Sequence, residues 1–128
     1  MGVLGFSHFN IRAPKLLLEE VKTFYLEIIG LTEGFRPDAP IHGYWLYLED
    51  LPVLHLMEWN VIAETPKYER GYLDHVAFSC EGLEGFINKL KNLDVLYTRR
   101  DFNIGGGVFT QLEVTDPVGN GVELNFSQ

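Results

Sequence analysis

Polar and apolar positions follow a period of two at the start of the chain and a helical period after it. From Val3 to Arg12 the alternation predicts a strand that turns His8 away from Phe9 and Ile11. Five apolar residues then recur at helical spacing: Leu17, Val21, Phe24, Tyr25 and Ile28. Pro14 suits the first turn of this helix and Gly30 suits its end. The chain therefore begins with a strand and an amphipathic helix.

Three shorter strands complete the first half. They are predicted at Leu31 to Phe35, Gly43 to Leu48 and Pro52 to Glu58, the last two joined by a turn at Glu49-Asp50. The order of elements over residues 1–58 is thus βαβββ. Residues 59–71 mix charged residues with Pro66 and show no period, which predicts a linker.

The second half, residues 72–128, repeats this order. A strand is predicted at Tyr72 to Cys80, and a helix carries Leu83, Phe86, Ile87 and Leu90 on one face. The last three strands are predicted at Val95 to Arg100, Val108 to Val114 and Gly121 to Phe126. The glycine triplet at residues 105–107 suggests a flexible loop.

When the halves are superposed in sequence, His8 falls on His75 and His55 falls close to Glu123. The same comparison pairs Trp45 with Gln111 and Tyr47 with Glu113. We therefore predict a single α+β domain over residues 1–128, built of two tandem βαβββ modules. The modules would form a cupped, mixed β-sheet with the helices on its outer face.

The four matched positions carry metal-ligand chemistry. Because a strand has a period of two, His75 and Glu123 face away from the large apolar neighbours, toward the concave side of the predicted sheet. Imidazole and carboxylate suit first-row divalent ions, so His8, His55, His75 and Glu123 are the candidate ligands, with Glu58 as a rival to His55. A lone strand histidine is more often structural, but symmetric placement favours a metal site. His42 matches nothing in the repeat and is read as a loop residue.

Composition narrows the possible partners. The net charge of −8 disfavours nucleic acid and anionic membrane surfaces. The single cysteine, Cys80, excludes an internal disulfide and fits a reducing cytoplasm. The sequence shows neither the pattern of a signal peptide nor an apolar stretch of membrane-spanning length. The expected partner is a small molecule.

Five segments resemble the vicinal oxygen chelate superfamily, which includes glyoxalase I, extradiol dioxygenases, fosfomycin-resistance thiol transferases and bleomycin-resistance proteins. They are SHFNIR, FYLEIIGL, PVLHLME, LDHVAFSC and TDPVGNGVELNF, and the resemblance spans the whole chain. It implies a glyoxalase-like lyase or isomerase with one divalent ion (Zn, Ni, Fe, Mn or Co) and a small substrate chelated through two oxygens. It also implies a homodimer.

The resemblance assigns roles residue by residue. His8, His75 and Glu123 match the first, third and fourth metal positions of glyoxalase I, and His55 stands where bacterial members carry a glutamate implicated in moving the substrate proton. Glu123 and His55 are therefore the candidate catalytic residues, and His55 is either ligand or base. Arg12 matches an arginine that contacts a glutathione carboxylate. The candidate cavity-lining residues, from the repeat and the strand faces, are Trp45, Tyr47, Gln111, Glu113 and Asn125.

Two other functions remain open within this superfamily. An extradiol-type iron dioxygenase would use His8, His75 and Glu123 as its iron ligands, although the acid–base histidine and tyrosine of that family are missing. A non-catalytic protein of the bleomycin-resistance kind would bind its ligand without metal. The site could lie within one chain, or take His8 and His55 from one subunit and His75 and Glu123 from another.

Overall fold

The structure is a computed structural model, and it describes residues 1–59 and 72–127. The chain divides into two compact units, Met1–Thr65 and Pro66–Gln128. Each unit contains one four-stranded mixed sheet and runs through the order βαβββ. The predicted α+β class and the two tandem modules are therefore confirmed. The predicted linker, apart from Trp59, lies outside the described residues.

The first module contains four strands and one helix. They are β1 (Phe9–Ala13), α1 (Lys15–Phe24), which continues into a π-helical turn (Tyr25–Ile29), β2 (Thr32–Gly34), β3 (Gly43–Leu48) and β4 (Leu51–Glu58). Pro14 precedes the helix, and Gly30 ends it with a left-handed φ of 92°. The strand order is β1-β4-β3-β2, with β1 parallel to β4 and the other neighbours antiparallel.

The core of this module lies between α1 and its sheet. Leu18 and Val21 of α1 are fully buried, as are Leu54 and Leu56 of β4. His55 stands between these two leucines in sequence, so its side chain projects from the opposite, helix-free face of the sheet. The burial of the apolar face thus fixes the direction of His55.

The second module has the same architecture. Its elements are β5 (His75–Cys80), α2 (Leu83–Asn92), β6 (Thr98–Ile104), β7 (Gly107–Thr115) and β8 (Gly121–Ser127), and the strand order is β5-β8-β7-β6. The rings of Phe86 in α2 and Phe126 in β8 meet edge to face, with centroids 5.6 Å apart. Because Phe126 faces the helix, Glu123 and Asn125 project from the other face, as predicted.

Several predicted boundaries were wrong. β1 begins at Phe9, because β4 pairs with β1 only from that residue onward, so His8 lies just outside the strand. β5 likewise begins at His75 rather than at Tyr72. β6 runs to Ile104 because Gly105 and Gly106, with φ of 58° and 81°, close a tight hairpin with β7. The glycine triplet is a turn and not the predicted flexible loop.

The repeat also needs one correction. Trp45 pairs with His55 across β3 and β4, whereas Glu113 pairs with Glu123 across β7 and β8. Since His55 and Glu123 occupy equivalent positions, Trp45 corresponds to Glu113 and not to the predicted Gln111. No helix in the described ranges is long and apolar enough to cross a membrane.

Candidate functional site

Three aromatic rings are stacked on the helix-free face of the first module. The imidazole of His55 lies against the indole of Trp45, with centroids 4.1 Å apart and planes 8° from parallel. The imidazole of His8 stacks on His55, at 3.7 Å and 14°. Two of the candidate ligands, His8 and His55, are therefore in direct contact.

The Nε2 atom of His55 is buried and has no hydrogen-bond partner within residues 1–59 and 72–127. Burial lowers the pKa of His55, and the charges of the nearby His8 and Arg36 lower it further. A hydrogen bond with the backbone of Pro52 acts in the opposite direction and raises it. A neutral imidazole with an unpartnered nitrogen fits a metal ligand or a general base. Buried polar atoms in folded proteins normally have partners, so this nitrogen is available to a further group such as a water, a ligand or a metal ion.

The stacking of His8 on His55 does not fit simultaneous coordination of one ion. A metal ion lies near the plane of each imidazole that binds it, because the nitrogen lone pair lies in that plane. Two rings that are stacked at 3.7 Å and only 14° from parallel have planes that do not meet near either ring. His8 is exposed and lies ahead of β1, and its Nδ1 is 3.0 Å from the hydroxyl of Ser7. Both imidazoles are suitable metal ligands, but the ring of His8 would have to rotate before both could bind one ion.

The second module brings His75 and Glu123 together. His75 Nε2 lies 3.3 Å from Glu123 Oε2, and His75 Nδ1 lies 2.9 Å from Asp74 Oδ2. The hydrogen bond with Asp74 raises the pKa of His75, and the charges of Glu123, Asp74 and Glu113 act in the same direction against desolvation. Two donors on one ion lie about 3 Å apart when each is about 2.1 Å from it, so this pair fits neighbouring metal ligands. A carboxylate on the second ring nitrogen is the usual support of a metal-binding histidine.

A chain of hydrogen bonds orients Glu123. Gln111 Nε2 donates to Asn125 Oδ1 at 3.2 Å, and Asn125 Nδ2 donates to Glu123 Oε1 at 2.9 Å. Glu113 is the direct cross-strand neighbour of Glu123 on β7. Of these two predicted cavity-lining residues, Asn125 thus contacts Glu123 directly, and Gln111 contacts Asn125.

Other predicted residues have partners within the first module. The guanidinium of Arg12 lies over the ring of Trp59, 3.8 Å from its centroid. The hydroxyl of Tyr47 donates to the carbonyl of Phe35 at 2.5 Å. His42 lies just before β3, and its Nε2 is 3.2 Å from the hydroxyl of Tyr44.

The described ranges contain no group of three or more His, Cys, Asp and Glu side chains arranged to hold a metal ion. The four candidate ligands are present as two pairs, one in each module. His8 and His55 form the pair in the first module, and His75 and Glu123 form the pair in the second.

A small cavity in the first module was not foreseen from the sequence. It has a volume of about 260 Å³, and Arg36, Asn10, Trp45 and His55 lie in its wall. Arg36 stands in the segment Phe35-Arg36-Pro37, which has neither strand nor helix periodicity, so no spacing rule pointed to it. Its position depends on the path of the loop between β2 and β3.

No protein-family model matches the chain, and no curated protein sequence matches it. Solved structures do match. A glyoxalase family protein from Bacillus anthracis has a TM-score of 0.72 and 21% identity, covering 100% of this chain and 98% of that chain. The chain has the glyoxalase fold. The fold that the sequence resemblance implied is therefore confirmed.

Two further structures with the glyoxalase fold carry functional names. The fosfomycin resistance protein FosX from Listeria monocytogenes has a TM-score of 0.70 and 19% identity, covering 99% of this chain and 94% of that chain. A lactoylglutathione lyase from Agrobacterium tumefaciens has a TM-score of 0.63 and 14% identity, covering 98% of this chain and 96% of that chain. The shared fold therefore covers nearly the whole of this chain and of each of these two proteins.

Proposed function

We propose that this protein is a metal-dependent, glyoxalase-like enzyme, a lyase or isomerase that acts on a small substrate chelated through two oxygens. The observation that carries the proposal is the contact of His75 with Glu123, with Asp74 behind the second nitrogen of His75. This is the arrangement of a metal-binding histidine with its supporting carboxylate. The names of the lactoylglutathione lyase and FosX, which share the fold, agree with chemistry on a small molecule.

In this proposal His8, His55, His75 and Glu123 bind one divalent ion, which is Zn, Ni, Fe, Mn or Co. Such an ion, when bound, supplies Lewis-acid stabilisation to the substrate oxygens. Both pairs serve the same ion, either within one chain or across a homodimer. The protein acts in the cytoplasm, as its single cysteine suggests.

The side chains have separate tasks. His55, with its neutral ring and unpartnered Nε2, accepts a proton from the substrate or binds the ion. Glu123 is held by Asn125 in a fixed orientation, which suits a ligand that also receives a proton. Arg12, Trp45, Tyr47 and Glu113 contribute to substrate binding, with Gln111 and Asn125 acting through Glu123.

Metal content tests this proposal directly. Protein purified without a chelating tag should contain one equivalent of a divalent metal, or take up one on titration, as measured by elemental analysis and calorimetry. The variants His75→Ala and Glu123→Gln should lose this uptake. His42→Ala is the matched control, because His42 contacts Tyr44 and belongs to neither ligand pair. Wild-type protein that takes up no metal would overturn the proposal.

The stacking of His8 on His55 favours a second candidate, a binding protein that uses the same residues without metal. In that case wild-type protein would bind a small ligand equally well in the presence and in the absence of a chelator. A third outcome, oxygen consumption by the ferrous protein with a catechol, would instead indicate an extradiol-type dioxygenase. The three functions thus give different results with one set of purified proteins.

A further inference from the structure

The cavity of the first module combines an aromatic wall with one cation. The indole of Trp45 and the imidazole of His55 line it together with Asn10 and Arg36. Its volume of about 260 Å³ is just below the range of about 300–1,000 Å³ that is usual for small-molecule sites. A compact organic molecule would fit in it.

The guanidinium of Arg36 is held in place by the chain around it. One of its nitrogens, Nη2, donates to the carbonyl of Ile41 at 2.8 Å. A Cβ atom at Gly43 would approach Nη2 to 3.2 Å and the Leu56 carbonyl oxygen to 2.1 Å, so only glycine leaves this space open. Arg36 is half-buried, in contrast to the exposed residues that follow it. The loop between β2 and β3 therefore presents a positioned guanidinium.

The charge of Arg36 is not neutralised by the described part of the protein. Within residues 1–59 and 72–127 it forms no ion pair with a carboxylate, and its one hydrogen bond leaves most of its N–H donors unused. Asp38 also lines the cavity, but it is exposed, so water and salt screen part of its charge and it weakens the attraction for an anion without cancelling it.

We propose that this cavity binds a small organic carboxylate, with Arg36 pairing with the carboxylate oxygens and Trp45 contacting the apolar part. A guanidinium presents two parallel N–H groups that match the two oxygens of a carboxylate. The inference deepens the proposed function, because it gives the substrate of that site an anionic group next to His55. It does not require the metal, so it can be tested with metal-free protein.

The test uses benzoate, with benzamide as its neutral counterpart and inorganic phosphate as a non-planar anion. Amide and indole NMR signals of Asn10, Ala39 and Trp45 should shift saturably with benzoate and not with benzamide. Arg36→Gln should weaken benzoate binding about tenfold or more, the ratio expected for loss of one charge-assisted hydrogen bond. Arg36→Lys should retain part of the affinity, and Asp38→Asn should strengthen binding. Arg100→Gln, an exposed arginine of the second module, is the matched control.

Benzoate binding that is unchanged in Arg36→Gln, or matched by benzamide, would overturn the inference, as would binding of phosphate without benzoate. Because Arg36→Gln also removes the bond to Ile41, its amide spectrum must match wild type away from the cavity. If it does not, Arg36→Lys and Asp38→Asn decide the question, since both keep a cation at residue 36. Failure of metal uptake would overturn the proposed function and leave a positive benzoate result standing.

Discussion

Trp45 and His55 face each other across β3 and β4 with their rings in contact at 4.1 Å. The equivalent positions of the second module are occupied by Glu113 and Glu123. One βαβββ unit thus presents an aromatic ring and a neutral imidazole at the place where the other presents two carboxylates. The two modules therefore carry chemically different residues at equivalent positions, and each position needs its own test.

The pKa values of His55 and His75 should be shifted in opposite directions in metal-free protein. Burial lowers the pKa of His55 below its ordinary value of 6.5, whereas the hydrogen bond with Asp74 raises that of His75. The stability from neutral His55 is therefore present above pH 6.5 and lost as the pH falls through its folded pKa. The stability from charged His75 is present below pH 6.5 and lost as the pH rises through its folded pKa. Histidine NMR titration measures both values.

Replacing His8 with alanine should bring the pKa of His55 back toward 6.5, because His8 contributes to the shift through its charge. The titration of His75 should not change in this variant. A His55 that titrates at or above His75 in the wild type would contradict the burial of its Nε2 atom.

Removal of the Asn125 amide should loosen Glu123 without removing the carboxylate. On the proposed function, Asn125→Ala should lower metal affinity by about 10–100-fold, the usual effect of losing a group that orients a ligand. Gln111→Ala should have a smaller effect, since it removes only the outer hydrogen bond. Calorimetric metal titration of wild type, Gln111→Ala and Asn125→Ala measures the order of their metal affinities. Equal affinity in wild type and Asn125→Ala would show that the hydrogen bond does not orient the ligand.

Cys80 should react slowly with thiol reagents in the folded protein. Burial raises the pKa of its thiol above the ordinary 9.0, and Sγ is 3.7 Å from the Phe78 carbonyl. Maleimide labelling followed by mass spectrometry should therefore be slow at neutral pH and should continue to accelerate above pH 9.0. The same protein in guanidinium chloride is the control, and equally fast labelling in the folded state would count against burial.

Two glycines should respond oppositely to alanine. Gly106 has a φ of 81° in the β6–β7 turn, so Gly106→Ala should lower the free energy of unfolding by about 1 kcal/mol. Gly85 lies within α2, and an added Cβ would meet nothing within 4 Å, so Gly85→Ala should raise it by about 0.5–1 kcal/mol. Urea denaturation of both variants checks the signs. Stabilisation by Gly106→Ala would mean that the turn does not require its left-handed residue.

Local sequence patterns were enough to predict the two βαβββ modules and the direction of His55 and Glu123. Strand and helix periods are local, and the burial of Leu54 and Leu56 fixes the outward direction of His55 in the same way that Val122 and Leu124 fix that of Glu123. Sequence reasoning failed where the outcome depends on pairing between strands. The start of β1 and the equivalence of Trp45 with Glu113 follow from hydrogen-bond register, which no periodicity encodes.

Only the tertiary structure revealed the contacts between side chains that are distant in sequence. The stacking of His8 on His55 and the hydrogen bond from Asn125 to Glu123 depend on rotamers and on sub-ångström placement. Arg36 lines the cavity because the loop between β2 and β3 brings it to the face of the sheet that carries His55. Such placements result from packing of the whole module. Local sequence patterns therefore identified the candidate ligands but did not predict their contacts.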